Sequence, residues 1–252
     1  MSVGILGVES LRFGGMSTTD SRASEGGLER RGSGVVVFCP MRIERSHVER
    51  VLRGAGMAGV RVVQTGIGKD AVVRAATREQ ATLFVLAGAC GGLAGGEDVP
   101  GIARVVDEHG QSWTPWGADS RGVILAAVDR IVSMPGDKRA LAASTGAAIV
   151  DMESHAFAAE CERRGIAWTV VRGVSDTPEE TLPGEVMGWI TPEGETRTGR
   201  AVLDMLRRPR LIGHIVGVVR RSNRVLPLVG KRVVEVVRKW EARAGVTKGA
   251  GV

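Results

Sequence analysis

Short apolar runs rich in β-branched residues alternate with helix-like segments from residue 35 onward, and no other feature constrains the fold as strongly. The runs have the length and composition of buried strands, and the segments between them carry apolar residues at helical spacing. Because the connections are short, the alternation favours one mainly parallel sheet with helices on its faces. We therefore predict an α/β three-layer sandwich with a mixed, mainly parallel central sheet.

The predicted elements follow one another closely along the chain. Strands are expected at residues 35–39, 60–70 (ending in a glycine turn), 82–88, 102–108, 123–132, the first part of 148–165, and 167–177. Helices are expected from Ile43 to about Gly54, over 70–80 and 138–146, and in the second part of 148–165. The glycine cluster at 89–98 is expected to follow the third strand as a loop.

The 252 residues predict one domain with an appendage at each end. Residues 1–34 lack sustained apolar periodicity and predict a disordered lead, without the basic start or length of a secretion signal. Residues 35–196 carry the alternating pattern and predict the α/β domain. Residues 197–252 predict a basic, amphipathic, helical extension.

Positive charge is concentrated in that extension. Residues 197–240 contain twelve Arg or Lys against two acidic residues, a local net charge of +10, whereas the whole chain carries +6 and the remainder therefore −4. Any anionic partner should contact the extension. Nucleic acid is not expected, because the segment lacks the aromatic platforms and the fold signatures of nucleic-acid-binding modules.

The three cysteines lie far apart, without a CxxC pair or a histidine at metal-ligand spacing. This usage predicts a reduced, cytoplasmic protein that binds no metal. No apolar run reaches the roughly 18 residues that a membrane-spanning helix needs.

Acidic side chains and glycine turns follow several predicted strands. Glu44, Glu153, Asp176 and both glycine-rich segments come at the carboxyl ends of their strands. In a parallel α/β sheet these ends meet at one edge, where ligands bind. Carboxylates at that edge can protonate a leaving group, stabilise a developing cation and activate a nucleophile. The sequence therefore predicts an active site there.

Two segments resemble signatures of the nucleoside phosphorylase and nucleosidase superfamily. VDMESHAFA (150–158) is similar to its Met-Glu signature, and VVRGVSD (170–176) to its strand ending in Ser-Asp. The resemblance extends over residues 35–180 and implies the nucleoside phosphorylase fold, with 35–196 as the catalytic domain. It also implies a homo-oligomeric enzyme that cleaves the N-glycosidic bond of a purine nucleoside without a cofactor.

Within these two segments the resemblance implies roles for individual residues. Met152 would pack on the ribose, and Glu153 would accept hydrogen bonds from the ribose hydroxyls. Asp176, with Ser175 beside it, would deliver a proton to N7 of the departing purine.

Three further segments complete the implied site. CPMRIE (39–44) resembles the nucleosidase branch, in which a glutamate at the position of Glu44 activates the attacking water. TGIGK (65–69) and AGACGGLAGG (87–96) resemble the glycine segments beside the sugar and the nucleophile, where backbone N–H groups approach a ligand. The remaining substrate-binding residues implied are Met41, Ile67, Gly68, Ala89, Cys90 and Gly91 and, at the purine edge, Arg130 and Ile131.

Departures from the superfamily bear on the nucleophile. Its bacterial phosphorylases hold phosphate with an Arg and a Ser, at whose positions this chain has Leu86 and Ala89. This difference, together with Glu44, favours water. An arginine at 42 or 45, or from another subunit, would be needed to restore a phosphate site, so phosphate stays open as a co-substrate.

Two polar residues near the motifs are expected to have structural rather than catalytic roles. His155 follows the Met-Glu signature on a helix and is expected to pack or to contact another subunit. Lys69 is expected to be a solvated charge or a partner at a helix start.

The extension suggests one subfamily. DRIVSMPGDKRALAASTGAAIVDMESHAF (129–157) and the RRP step of the extension look like the hopanoid-associated phosphorylases, over most of residues 35–240. This resemblance implies removal of adenine from adenosylhopane, a lipid-linked nucleoside. The alternatives are a nucleosidase for methylthioadenosine or S-adenosylhomocysteine, and a catalytically silent purine-binding or membrane-associated sensor.

Two interpretations of the extension stay open. Its apolar stretches at 202–206, 211–219 and 225–237, flanked by arginines, are typical of helices that lie on anionic membranes. The same pattern is expected of a C-terminal helix pair that packs on the domain with a basic, solvated face. The first interpretation would place the protein peripherally on the inner face of the cytoplasmic membrane.

Overall fold

A computed structural model describes residues 34–181, 191, 193–195 and 210–249. Its strands are β1 (Val35–Cys39), β2 (Arg61–Gln64), β3 (Leu83–Gly92), β4 (Ile102–Val106), β5 (Ser112–Trp113), β6 (Val123–Ala127), β7 (Ile149–Asp151) and β8 (Ala167–Asp176). Its helices are α1 (Arg42–Gly54), α2 (Lys69–Thr77), α3 (Pro135–Thr145), α4 (Ser154–Arg163) and α5 (Arg210–Gly249). Except for Gly34, the predicted disordered lead lies outside the described residues, as do residues 197–209 of the extension.

The strands form one sheet in the order β2-β1-β3-β7-β6-β4-β5, with β8 hydrogen-bonded to β3 beside this path. Parallel pairs join β1 to β2 and β3, β3 to β8, and β6 to β4 and β7. Only the β3–β7 and β4–β5 pairs of the described strands are antiparallel. This mixed, mainly parallel sheet confirms the predicted fold class.

Helices cover both faces of the sheet, because successive strand residues point to opposite sides. Phe38 and Phe84 face α2 and α4, where the ring of Phe157 packs edge-on against Phe38 with 5.6 Å between centroids. Val37, the neighbour of Phe38, faces α1 and α5 on the other side. Two apolar cores thus enclose the sheet and produce three layers.

β3 is longer than predicted. It continues through Gly92 rather than ending at residue 88, and it pairs with β8 over almost its whole length. Glycine permits this close pairing, because a Cβ at Gly92 would lie 2.5 Å from the carbonyl oxygen of Asp176. The glycines of this segment therefore extend the strand instead of forming the predicted loop.

Other boundaries also differ from the predicted ones, and the short strand β5 was not predicted. β6 ends at Ala127 rather than at 132, and the residues that follow leave the sheet as a loop. α3 begins at Pro135, three residues before the predicted start, since proline is favoured in the first turn of a helix.

The C-terminal helix α5 is part of the sandwich. Gly173 of β8 lets it approach closely, because a Cβ there would lie 2.8 Å from Cγ2 of Val229. Burial of a Val or Leu side chain contributes about 1.5–3 kcal/mol, so the buried face holds the helix much more strongly than exposed ion pairs do. That face consists of Val225, Leu226, Val229, Val233, Val234 and Val237.

The described part of the extension packs on the domain, as the second interpretation expects. The apolar stretch 225–237 contacts the sheet and α1 rather than a membrane surface, and the basic side chains are on the solvated face. Those exposed residues are Arg220, Arg224, Lys231, Arg238 and Lys239. Within the described ranges, no helix combines enough length with enough apolarity to span a bilayer.

Candidate active site

A cleft of about 200 Å³ opens at the carboxyl ends of β1, β3 and β8, beside β7 and the loop after β6. Every predicted site residue except Gly68 lines it. The lining consists of Pro40, Met41, Glu44, Ile67, Ala89, Cys90, Gly91, Arg130, Ile131, Val132, Val150, Asp151, Met152, Glu153, Ser175 and Asp176. The segments that carry the family resemblance therefore meet in one place, although they come from distant parts of the sequence.

Glu44 enters the cleft from the first turn of α1 and is 1% exposed. Its Oε1 accepts the backbone N–H of Ala89 at 2.7 Å, and its Oε2 accepts that of Met41 at 2.8 Å. Gly88 makes room for it, because a Cβ there would lie 2.6 Å from Oε1. Burial raises the pKa of Glu44 to about 7, against the opposing effects of the Ala89 hydrogen bond and the positive charge of Arg172. A carboxyl with a pKa near neutrality is suited to accept a proton from water.

Arg172 of β8 is a fully buried cation behind the cleft. Its Nε donates to Oδ2 of Asp151 at 2.7 Å, and its Nη2 donates to Oε2 of Glu153 at 3.3 Å. The other oxygen of Glu153 accepts the backbone N–H of Gly68 at 2.9 Å. Gly68 therefore positions Glu153 instead of lining the cleft. Burial raises the pKa of Glu153, and the positive charge of Arg172 opposes that rise.

Asp176 ends β8 with its side chain almost fully buried. Its Oδ2 contacts Nζ of Lys138, a lysine of α3 with no exposed surface. Ser175 Oγ lies 3.5 Å from Oδ1 of Asp176 and donates to the carbonyl oxygen of Cys90 at 3.1 Å. Burial raises the pKa of Asp176, while the hydrogen bond and charge of Lys138 act to lower it. The carboxyl thus borders the cleft with a cation directly behind it.

Three polar side chains meet near the rim of the cleft. Lys69, the first residue of α2, pairs with Asp129 of the loop after β6, and the hydrogen bond lowers the pKa of Asp129. Nε2 of His155 lies 3.3 Å from Asp129 on the other side. Lys69 thus lies at the start of α2 with its charge paired to Asp129. In the part of the chain that the structure describes, no group of His, Cys, Asp or Glu is placed to hold a metal ion.

Three residues at or behind the cleft had no predicted role, namely Arg172, Asp151 and Lys138. Arg172 and Asp151 lie inside the quoted motifs, where each interrupts or ends an apolar strand. That position was a usable signal, because a charge within a buried strand requires a partner of opposite sign. Lys138 had no such signal, since a lysine in a helix of mixed composition is ordinarily solvated.

Arg172→Met should lower the free energy of unfolding by about 3–5 kcal/mol, because it leaves two buried carboxylates without their cation. Urea denaturation near neutral pH measures the change. Arg163→Met is the matched control, since it removes an exposed arginine that pairs with Glu160, and it should have little effect. If the two variants were equally stable, Arg172 would not be neutralising the buried carboxylates.

Sequence comparison connects part of the chain with a known family. The family model described as Phosphorylase superfamily matches residues 107–207, which include α3, β7, α4 and β8. No curated protein matches the chain.

Three solved structures resemble the whole fold. A 5'-methylthioadenosine/S-adenosyl homocysteine nucleosidase and a futalosine hydrolase, both from Helicobacter pylori, each have a TM-score of 0.58 at 14% identity, covering 81% of this chain and 97% of theirs. A putative 5'-methylthioadenosine/S-adenosylhomocysteine nucleosidase from Francisella philomiragia has a TM-score of 0.54 at 14% identity, covering 81% and 98%. The chain therefore has the nucleosidase fold, with the cleft at the carboxyl ends of its strands.

Proposed function

We propose that this chain cleaves the N-glycosidic bond of a purine nucleoside, with water as the nucleophile. Glu44 takes a proton from the attacking water, Glu153 binds the ribose hydroxyls as the sugar becomes cationic, and Asp176 protonates N7 of the base. The bond from the sugar to the base breaks, and its electron pair leaves with the base. The oxygen of water forms the new bond to the sugar carbon.

The environment of Glu44 is the observation that carries this proposal. Two backbone N–H groups hold its carboxylate at the cleft, and burial raises its pKa to about 7. An exposed glutamate would be a much weaker base, because its conjugate acid ionises near pH 4.3. The matching Phosphorylase superfamily model and the nucleosidase fold support the same reaction.

The charges around the cleft favour water over phosphate. Among the described lining residues, Arg130 alone carries a positive charge, and its guanidinium donates to Glu108 at 2.9 Å. The sequence left Arg42 and Arg45 open as ligands of phosphate. They pair with Glu195 and Glu49, and none of these four residues lines the cleft. A bound phosphate dianion would need an arginine or several free backbone donors.

Glu44→Gln should reduce base release by about 10²–10⁴-fold with or without phosphate, since the amide cannot accept a proton.

In the wild type, kcat/KM should fall about tenfold per pH unit below a pH of about 7, because protonated Glu44 is no longer a base. Base release followed by absorbance, with identification of the sugar product, provides the measurement.

Glu49→Gln, on the same helix and outside the cleft lining, is the matched control and should be nearly as active as the wild type. A rate that saturates with phosphate and yields a ribosyl 1-phosphate would contradict the role of water. Phosphate would then be a co-substrate, and Glu44 only a ligand of the sugar.

For the substrate, we place a lipid-linked adenine nucleoside first, with adenosylhopane as the specific candidate and hopanoid side-chain formation as the role. The hopanoid-associated resemblance of the motifs and the extension supports this choice. So does Ile131 at the cleft, where a large apolar side chain is 38% exposed. The fold neighbours favour methylthioadenosine or S-adenosylhomocysteine as the second candidate. A silent purine-binding sensor is less well supported, because binding alone does not require three buried carboxylates.

The exposed basic face of α5 would bring such a substrate to the enzyme at the inner face of the cytoplasmic membrane. Removing the whole extension would also destabilise the fold, because residues of α5 fill the core beside β8. Reversing charges on the solvated face leaves that core intact.

The triple variant Lys231→Glu, Arg238→Glu and Lys239→Glu should bind vesicles of anionic phospholipid at least about tenfold more weakly, since each basic residue near such a surface contributes about 1 kcal/mol. Its cleavage of adenosylhopane in those vesicles should fall, while cleavage of methylthioadenosine should not. Arg50→Glu, a charge reversal on α1, is the control. Unchanged vesicle binding would remove the membrane from the proposal, and wild-type cleavage of methylthioadenosine alone would select the second candidate.

A further inference from the structure

The geometry points to Lys138 as the residue that stores the proton which Asp176 passes to the departing base. This inference rests on the proposed function, because it takes Asp176 to be the group that protonates the purine. Lys138 does not line the cleft and acts through Asp176, so it is a positioning residue for the reaction.

The surroundings of Lys138 are those of a specific site. Its side chain has no exposed surface, and Nζ contacts Oδ2 of Asp176. Nζ also donates to the carbonyl oxygens of Thr177 at 2.7 Å and Glu180 at 3.1 Å. The three donors of the ammonium group are therefore all used, and all point to the segment that carries Asp176.

Among the residues that the structure describes, Glu180 and Arg221 contact the segment of the pair, and Glu97 and Asp98 line a neighbouring pocket together with Asp176. Glu180 faces the same segment, and its carboxylate accepts the backbone N–H of Thr177 at 2.9 Å. Arg221 of α5 pairs with Glu180, and its Nε donates to the carbonyl oxygen of Ser175 at 3.1 Å. Cys90 is buried nearby, and burial raises the pKa of its thiol, so it stays neutral. Arg221 is thus the ion-pair partner of Glu180, and Lys138 is that of Asp176.

The pair contains one proton that can be given away. At the start Lys138 is an ammonium and Asp176 a carboxylate. As the glycosidic bond breaks and its electron pair moves onto the base, Lys138 transfers a proton to Asp176, and Asp176 passes a proton to N7 in the same step. The pair ends as a neutral amine beside a carboxylate, and the base leaves neutral. A proton from solvent then restores the ammonium.

The lysine extends the pH range over which Asp176 can act as an acid. An acid that donates must still hold its proton at the working pH, and above the pKa of its carboxyl Asp176 alone would have no proton to give. A lysine that shares its proton with the carboxyl keeps the pair loaded at higher pH, because an ammonium loses its proton near pH 10.4 in water. The pair should therefore extend activity into the alkaline range.

The test is the pH dependence of Lys138→Met. The substrate is methylthioadenosine or adenosine, whichever the wild type cleaves faster. Without the lysine, protonated Asp176 is the only acid, so kcat/KM should be close to the wild type at acidic pH and about 10²-fold lower at alkaline pH. Arg139→Met, which removes an exposed cation next to Lys138 on α3, should follow the wild-type profile. A loss that is the same at every pH would mean a purely structural role and would overturn the inference.

Lys138→Arg provides a second, independent test, which also covers the case that Lys138→Met does not fold. Arginine keeps the positive charge beside Asp176 but does not release its proton. The inference predicts that base release by this variant at alkaline pH is as low as that of Lys138→Met, while thermal unfolding shows a folded protein. Wild-type activity in this variant would show that only the charge matters. If the wild type itself released no base from any purine nucleoside, the proposed function would fail instead.

Discussion

The guanidinium of Arg172 is the interaction on which the candidate site depends. It lies in the middle of the sheet with no exposed surface and neutralises Asp151 and Glu153 directly. It also lowers the pKa of Glu44, which burial would otherwise raise further. Without this cation, the apolar surroundings at the carboxyl ends of the strands could not hold several carboxylates, because burying an unpaired charge costs several kcal/mol. A second buried cation, Lys138, serves Asp176 in the same way.

The glycines at the carboxyl end of β3 provide the space that these carboxylates need. Glu44 occupies the space that a Cβ at Gly88 would fill, and the carbonyl oxygen of Asp176 lies beside Gly92. The glycines therefore let carboxylates approach the strand from α1 and from β8. Each acidic group is then oriented by backbone N–H groups or by a buried cation, so the positions of the three proposed groups are set by the fold itself.

Much of this arrangement could be predicted from the sequence, because short-range patterns carry it. The alternation of apolar runs and helical segments was enough to predict the sheet and its layers. The segments that resemble the superfamily's motifs contain the residues that line the cleft. The contacts of Lys138 could not be predicted, since they join α3 to a segment nearly forty residues away. The packing of α5 was also ambiguous, because a basic amphipathic helix has the same pattern on a membrane and on a sheet.

In the proposed reaction, the cleft stabilises a sugar that becomes cationic while a purine departs. Calorimetric titration with a deazaadenine linked to a hydroxypyrrolidine, the type of compound bound in one of the Helicobacter pylori nucleosidase structures, tests it most directly. The protonated ring nitrogen of that compound imitates the charged sugar, and its cyclopentane counterpart lacks the charge. Our account predicts that the charged compound binds at least about 10²-fold more tightly, as transition-state analogues do. Equal affinity for the two compounds would contradict it and would indicate a cleft that binds purines without catalysing their release.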